Sequence, residues 1–371
     1  MDIGIPKEIQ RDEFRVGLAP AGVVTLIHQG HRVYVQTEAG AASGFTDEQY
    51  RKAGAEVVYS AQEVYSRAQM ILKVAAPAPP EYPLIERNQM LFGFLHLAVA
   101  PRELIDALSE REVEAIAYET IEGPDGRLPV LLPTSEIAGR ITPQIAASLL
   151  DSTNGGKGVL LSGVPGVPPA QVVILGGGVV GSNAARAFVG LGVHVTVLDH
   201  DLRVLQRLDR FFDGRVMTMM ANDYTIARAA SYADVLIGAV LVHGARAPHL
   251  VTREMVRTMK PKSVIIDIAV DQGGCVETSH PTHHSAPTFI EEGVIHYCVP
   301  NIPSKVARTA THALTNSALS AITRVAASGL VQTTIQDPGF AKGINICSGA
   351  LTNEAVALAH GRKARTLSEV L

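Results

Sequence analysis

Short apolar runs recur along the chain, separated by stretches in which apolar positions return every three or four residues. The opening MDIGIP reads as a first strand. PAGVVTLIHQG reads as a helix, with Val23, Val24 and Ile27 on its apolar positions and Gly30 as its stop, and HRVYVQT alternates as a second strand. YRKAGAEVVYS, AQMILKVA and NQMLFGFLHL continue the pattern. Strands alternating with helices predict an α/β fold with a mostly parallel sheet.

Residues 153–170, TNGGKGVLLSGVPGVPPA, are rich in Gly and Pro and read as a loop before a new α/β unit that begins at Gln171. ADVLIGAVLV (233–242) and SVIIDIAVDQGG (263–274) are further buried strands. Near Asn301 the parallel-strand pattern stops, and THALTNSALSAITRVAASG (311–329) predicts a long helix.

With 371 residues the chain is too long for one ordinary core, so two domains are expected. Apolar residues make up 47% and charged residues 18%, which suits a well-buried globular protein, and the net charge of −4 argues against nucleic acid or an anionic membrane as partner. The three cysteines, Cys275, Cys298 and Cys347, form no CxxC pair and an odd set, which argues against a disulfide framework and for a reduced, cytoplasmic protein. The N-terminus has no apolar signal core, and LFGFLHLAVA (91–100) has only about half the ~20 residues that a membrane-spanning helix needs.

The strongest chemical signal is QVVILGGGVVGSNAARAFVGLGVHVTVLD, which contains Gly176-x-Gly178-x-x-Gly181 between an apolar strand and an Ala-rich helix. Gly176 and Gly178 permit a tight turn and close approach of a pyrophosphate. Gly181 lets helix and strand pack closely, and the helix N-terminus faces the anion. Asp199 follows Gly181 by 18 residues, where a carboxylate can bind ribose hydroxyls and repel a 2′-phosphate, so NAD is expected over its phosphorylated form. In IDIAVDQGG, Asp267 is read as a strand terminator and Asp271 as a residue at the strand's C-terminal end, where ligands of doubly wound sheets sit. The histidines of HPTHH (280–284) have no nearby Cys or paired acid and read as a solvated loop rather than a metal site.

Together GIPKEIQRDEFRV, GFLHLA, AIAYET, PTSEIAGR, GVLLSGVPGVPPAQVVILGGGVVGSNAAR, DVLIGAVLV, DIAVDQGGC and PNIPSKVARTATHALTN resemble the alanine dehydrogenase family, which is related to the soluble NAD(H) domain of proton-translocating transhydrogenase. His96, SGVPGV and DQGG point to the dehydrogenase branch. The resemblance implies a two-domain α/β fold. A Rossmann NAD-binding domain, residues 131–304, is inserted in a Rossmann-like substrate domain made of residues 1–130 and 305–371. It implies a cleft between domains as active site, hexameric self-association, and reversible oxidative deamination of L-alanine to pyruvate and ammonium.

The resemblance also implies site residues. Arg15 matches the cation for the substrate carboxylate, since a guanidinium fork binds carboxylate at two points. His96 matches the acid–base group, although a lone His in so apolar a run is more often a core residue. Asp271 matches the second catalytic residue, and Asn301 a substrate contact. Ser135, Val179 and Val180 on the Gly loop, Val240 and Leu241 after the fourth strand, Ile268, Ala269 and Val270 before Asp271, and Val299 and Ile302 match cofactor contacts.

One stretch departs from the family. ILKVAAPAP keeps Lys73 of the usual Lys-Val-Lys-Glu-Pro, but Ala75 stands where the family carries the lysine that binds substrate, and Ala76 replaces the Glu. Lys73 lies ~6.6 Å along the strand on the same face, so it is a partial stand-in or a snorkelling residue paired with a carboxylate. Ala75 fits three explanations. The first is a different 2-oxo acid, amino acid or imine as substrate, and the second a weakened NAD-binding homologue. The third is a lysine-to-alanine variant, which the accompanying Ala76 disfavours.

Overall fold

The computed structural model describes residues 1–240, 247–270 and 273–371. They form two compact units, Met1–Thr134 with Ser304–Leu371, and Ser135–Pro303. These boundaries differ by a few residues from the expected 130/131 and 304/305. The reason is that helix Leu131–Leu150 starts within the first unit, as does the end of the 3-10 turn Ile302–Val306 in the return crossing.

The first unit opens with six strands: β1 Asp2–Ile5, β2 Arg32–Gln36, β3 Glu56–Val58, β4 Met70–Ala75, β5 Met90–Phe94 and β6 Glu114–Ala117. The second holds β7 Gln171–Leu175, β8 His194–Asp199, β9 Val216–Met220, β10 Val235–Gly238, β11 Val264–Asp267, β12 Thr288–Glu291 and β13 Val294–Tyr297. The chain then returns to the first unit with β14 Ile344–Cys347 and β15 Ala350–Leu351.

Both sheets are wound alike. The first runs β15-β14-β6-β5-β4-β1-β2-β3, with β1 to β6 parallel and β14 antiparallel to β6. The second runs β12-β13-β11-β10-β7-β8-β9, with only β12 antiparallel. Each parallel part reverses its direction of winding beside its first strand, between β1 and β4 and between β7 and β10. That switch point is where doubly wound sheets open a crevice at the strands' carboxyl ends.

Side-chain alternation sets the packing. On β4, Met70, Leu72 and Val74 enter one apolar layer with Ile3, Ile5 and the long helix Ala307–Gln336, while Ile71 enters the other. Local chemistry fixes the helices. Pro20 opens helix Pro20–His28, Gly30 (φ 85°) stops it, and Thr46 and Gln49 cap helix Asp47–Lys52 reciprocally. The helix expected over 311–329 extends over Ala307–Gln336 and is broken at Gly329 (φ 78°, ψ 166°), beyond which it resumes.

Candidate active site and cofactor cradle

In the first unit the carboxyl ends of β1, β4, β5 and β6 carry a cluster of charged groups. Arg15 lies on the stretch after β1 and is buried. Its Nε and Nη2 donate to the two carboxylate oxygens of Glu13 at 2.8 and 2.7 Å, and its guanidinium stands 6.0 Å from the centre of the Phe94 ring. A bidentate fork on a buried carboxylate fixes the plane of the guanidinium.

His96 follows β5 and is exposed, not a core histidine: the strand in the apolar run GFLHLA ends at Phe94, and the histidine emerges past it. Its backbone is left-handed (φ 45°, ψ 42°). Glu119, after β6, accepts from the N–H groups of His96 at 2.6 Å and Leu95 at 3.2 Å, and its Oε1 lies 3.9 Å from Nδ1 of His96. Phe94 stacks on the imidazole at 6.3 Å and pairs across the strands with Ala75. Arg15, Ala75 and His96 thus share Phe94 as neighbour or partner.

Lys73 has the carboxylate pairing expected of it, but it does not snorkel, and two buried carboxylates engage the ammonium that a partial stand-in would need. Its side chain is fully buried, and Nζ lies 2.8 Å from both Glu8 and Glu81. Glu8 follows β1, and Glu81 sits in the 3-10 turn Pro79–Leu84, where it also accepts from Tyr65 Oη and the N–H of Ala78. Burial opposes the lysine's charge, but the two carboxylates outweigh it and hold its pKa above the ordinary value. Glu8 also accepts from the backbone N–H of Val74 at 2.6 Å and of Ala75 at 3.4 Å. Ala75 is half-buried at the strand end.

In the second unit the glycine turn follows β7. A Cβ on Gly181 would come 1.8 Å from the carbonyl of Gly176, so only glycine lets the helix sit this close to the strand. Gly176 itself has φ 96°. Gly178 is exposed, and a Cβ there would meet no atom within 4 Å: the backbone borders open space at the N-terminus of helix Val179–Val189. Val179 and Val180, expected on the loop, are the first residues of that helix. The leading N–H groups of a helix lack intrahelical acceptors and favour an anion. The open space and the donors fit a pyrophosphate.

Asp199 ends β8. Its Oδ2 accepts from the N–H of Gly177 at 2.7 Å and its Oδ1 from that of Asp201 at 2.9 Å, which locks the carboxylate beside the glycine turn. Val240 follows β10, and Ala269 and Val270 are buried after β11, with Ile268 half-buried and bonded through its N–H to Gly238. Val299 and Ile302 are buried beyond β13, Asn301 between them is left-handed (φ 58°), and Ser135 is half-buried on helix Leu131–Leu150. Leu241 and Asp271 lie outside the described residues. Asp267 ends β11 and is fully buried. It accepts from the N–H groups of Ala269, Cys275 and Val276, and burial pushes its pKa up.

Sequence reasoning missed Glu8, Glu13, Glu81 and Glu119. Glu8 and Glu13 lie in GIPKEIQRDEFRV and Glu119 in AIAYET, so the motifs held them, but only pairing in space gives them roles.

Comparison with known proteins covers both units. Residues 4–138 match the family model described as Alanine dehydrogenase/PNT, N-terminal domain, and residues 142–354 its C-terminal domain. The alanine dehydrogenase of Methanococcus maripaludis is 50% identical over 97% of this chain and 96% of its own length. That of Bacillus subtilis is 49% identical over 96% of this chain and 94% of its own. A solved L-alanine dehydrogenase structure superposes with a TM-score of 0.93 at 49% identity, covering 97% of this chain and 99% of that one. Transhydrogenase from Sinorhizobium meliloti shares the fold, with a TM-score of 0.83 at 24% identity over 95% of this chain and all of that one. Two matched domains and relatives near half identity over nearly every residue place this chain in the alanine dehydrogenase/PNT family.

Proposed function

We propose that the protein is an NAD-dependent dehydrogenase that interconverts L-alanine and pyruvate plus ammonium. The observation that carries the reading is the near-full-length likeness to alanine dehydrogenases, together with Arg15 and His96 at one carboxyl edge of the first sheet. In this reading the first unit takes the substrate and the second takes NAD.

Gly176 and Gly178 would receive the pyrophosphate with Val179 and Val180 at the helix start, Gly181 holding that helix close to the strand, and Asp199 would take the adenosine ribose. Val240, Ile268, Ala269, Val270, Val299, Ile302 and Ser135 would border the rest, joined by Leu241. When bound, NAD takes up the hydride from the alanine Cα or returns it to the imine carbon.

The chain's own groups handle charge and protons. Arg15, held in plane by Glu13, presents its guanidinium to the substrate carboxylate. The substrate's ammonium group first gives one proton to solvent, and the Cα then loses hydride and becomes an iminium carbon. Water adds there as one of its protons passes to His96, which hands it to the nitrogen; the carbinolamine then expels ammonia as the C=O bond forms, and the hydroxyl's remaining proton goes to that ammonia, which departs as ammonium. Asp271 would steady the cationic stages, and Asn301 would contact the substrate.

Ala75 supports a second reading, a 2-oxo acid, amino acid or imine other than the alanine–pyruvate pair. At the strand end beside Phe94 it leaves space and no charge where the family resemblance puts a lysine. Oxidation of NADH with pyruvate and ammonium, run beside a panel of larger 2-oxo acids, separates the two. Turnover with none of them, alongside tight NADH binding, would leave only an NAD-binding role. The reading carries a cytoplasmic enzyme that self-associates as a hexamer, which light scattering of the purified protein tests. No helix of the described residues is long and apolar enough to cross a membrane.

A further inference from the structure

We infer that His360, on the C-terminal segment, is a positioning residue for His96, acting through the backbone of the turn that carries it. The inference rests on the reading of His96 as the acid–base group.

His96 is left-handed, a conformation disfavoured for any residue with a Cβ and kept only where the surroundings impose it. The turn is gripped from two directions. On one side, Glu119 accepts from the N–H groups of Leu95 and His96. On the other, Nε2 of His360 lies 2.7 Å from the carbonyl oxygen of Leu97. A carbonyl only accepts, so Nε2 carries the proton, and both the neutral ring in that tautomer and the charged ring satisfy the bond.

The segment that brings His360 there is itself anchored. His360 caps the C-terminus of helix Glu354–Ala359, whose Val356 and Ala357 share an apolar cluster with the buried Leu97. Arg362 pairs with Asp106, and the N–H of Arg365 donates to Leu351 at 2.8 Å. The last strands of the chain, β14 and β15, tie this segment to the sheet. The imidazole of His96 projects from the turn with its side chain 53% exposed, so the torsions of Leu95–Leu97 set where its nitrogens stand. Removing the His360 bond leaves the Leu97 carbonyl with only the longer, 3.3 Å bond from the N–H of Ala100 within the turn itself, and takes away the one grip that reaches the turn from the C-terminal segment.

The test uses the full-length enzyme and four variants: His360→Ala, His360→Gln, Arg362→Ala and His96→Ala. His360→Ala should lower kcat by roughly tenfold or more, because a misplacement of about 1 Å costs up to a hundredfold. KM for pyruvate should stay within about twofold, the signature of an effect on the chemical step. NADH affinity should be unchanged. His360→Gln keeps an N–H donor and should recover most of kcat. Arg362→Ala removes only an exposed surface pair and leaves both the Leu97 bond and the Arg365–Leu351 tie in place, so its kcat should stay near that of the parent. A parent-like kcat in His360→Ala overturns the inference. So does a Gln variant no better than Ala, or an Arg362→Ala loss as large as that of His360→Ala. Full activity in His96→Ala overturns instead the assignment of His96, so the two failures are told apart.

Discussion

The ammonium of Lys73 and the carboxylate of Glu8 stand 2.8 Å apart, both sealed from water, and the same carboxylate holds the backbone N–H of Val74. The carboxyl end of β4 is thereby tied to the stretch after β1 at the sheet's switch point. Replacing Lys73 with methionine leaves Glu8 and Glu81 buried without a cation. The expected cost is about 3–5 kcal/mol, as for other broken buried pairs, read as a lower urea midpoint for the first unit. A parent-like midpoint would show that the triad does not hold this edge.

Ala75→Lys should raise the rate of pyruvate amination about tenfold or more by restoring a charge-assisted bond to the substrate. Ala75 is half-buried at the strand end and pairs in register with Phe94, so the position is not sealed in the core. An unchanged rate, measured at saturating NADH, would mean that the substrate site is organised around other groups.

Gly181 and Gly178 of the motif should fail differently. Gly181→Ala puts a methyl 1.8 Å from a backbone oxygen, so the second unit should lose its cooperative unfolding transition or most of its stability. Gly178→Ala adds a methyl to open space and should fold normally while binding NADH roughly tenfold more weakly, because the methyl fills the proposed pyrophosphate cradle. Circular dichroism and an NADH fluorescence titration give the two readouts. Normal NADH affinity in Gly178→Ala would move the cradle elsewhere.

Acid should weaken the second unit through Asp234. Burial raises its pKa, but the N–H of Gln171 and the ammonium groups of Lys157 and Lys260 outweigh this and hold it below the ordinary 3.8. A carboxyl depressed in the folded state adds stability above its unfolded value and loses it as pH falls through the folded value. Asp234→Asn should therefore cost about 1–3 kcal/mol near neutrality and converge with the parent once the pH has fallen through the carboxyl's depressed folded value, below the ordinary 3.8. Urea melts across that range check it; parallel curves at every pH would contradict it.

The sequence made the local elements legible because they carry their own periodicity. The apolar runs at MDIGIP, AQMILKVA and QVVIL became β1, β4 and β7, and the glycine turn lies between strand and helix as its spacing required. Partners across the chain were not legible. The pattern around Lys73 marks a strand but cannot say which of 36 acidic residues will face it. His360 and Leu97 are 263 residues apart, and β15 is only two residues long, too short to leave a rhythm. His96 misled in the other direction: its apolar neighbours promised burial, while the strand had already ended.

The order in which the sheet is strung has a consequence at the ribosome. β14 covers the outer edge of β6, yet it is made only after the whole of Ser135–Pro303 has emerged. The inserted unit is contiguous and can finish first, as domains generally fold while they appear. Meanwhile the nascent first unit waits with one strand edge unpaired, a template for joining other chains. A product cut short before Ile344 would reach the cell as an open sheet, fit for chaperones or aggregation, and not as a smaller enzyme.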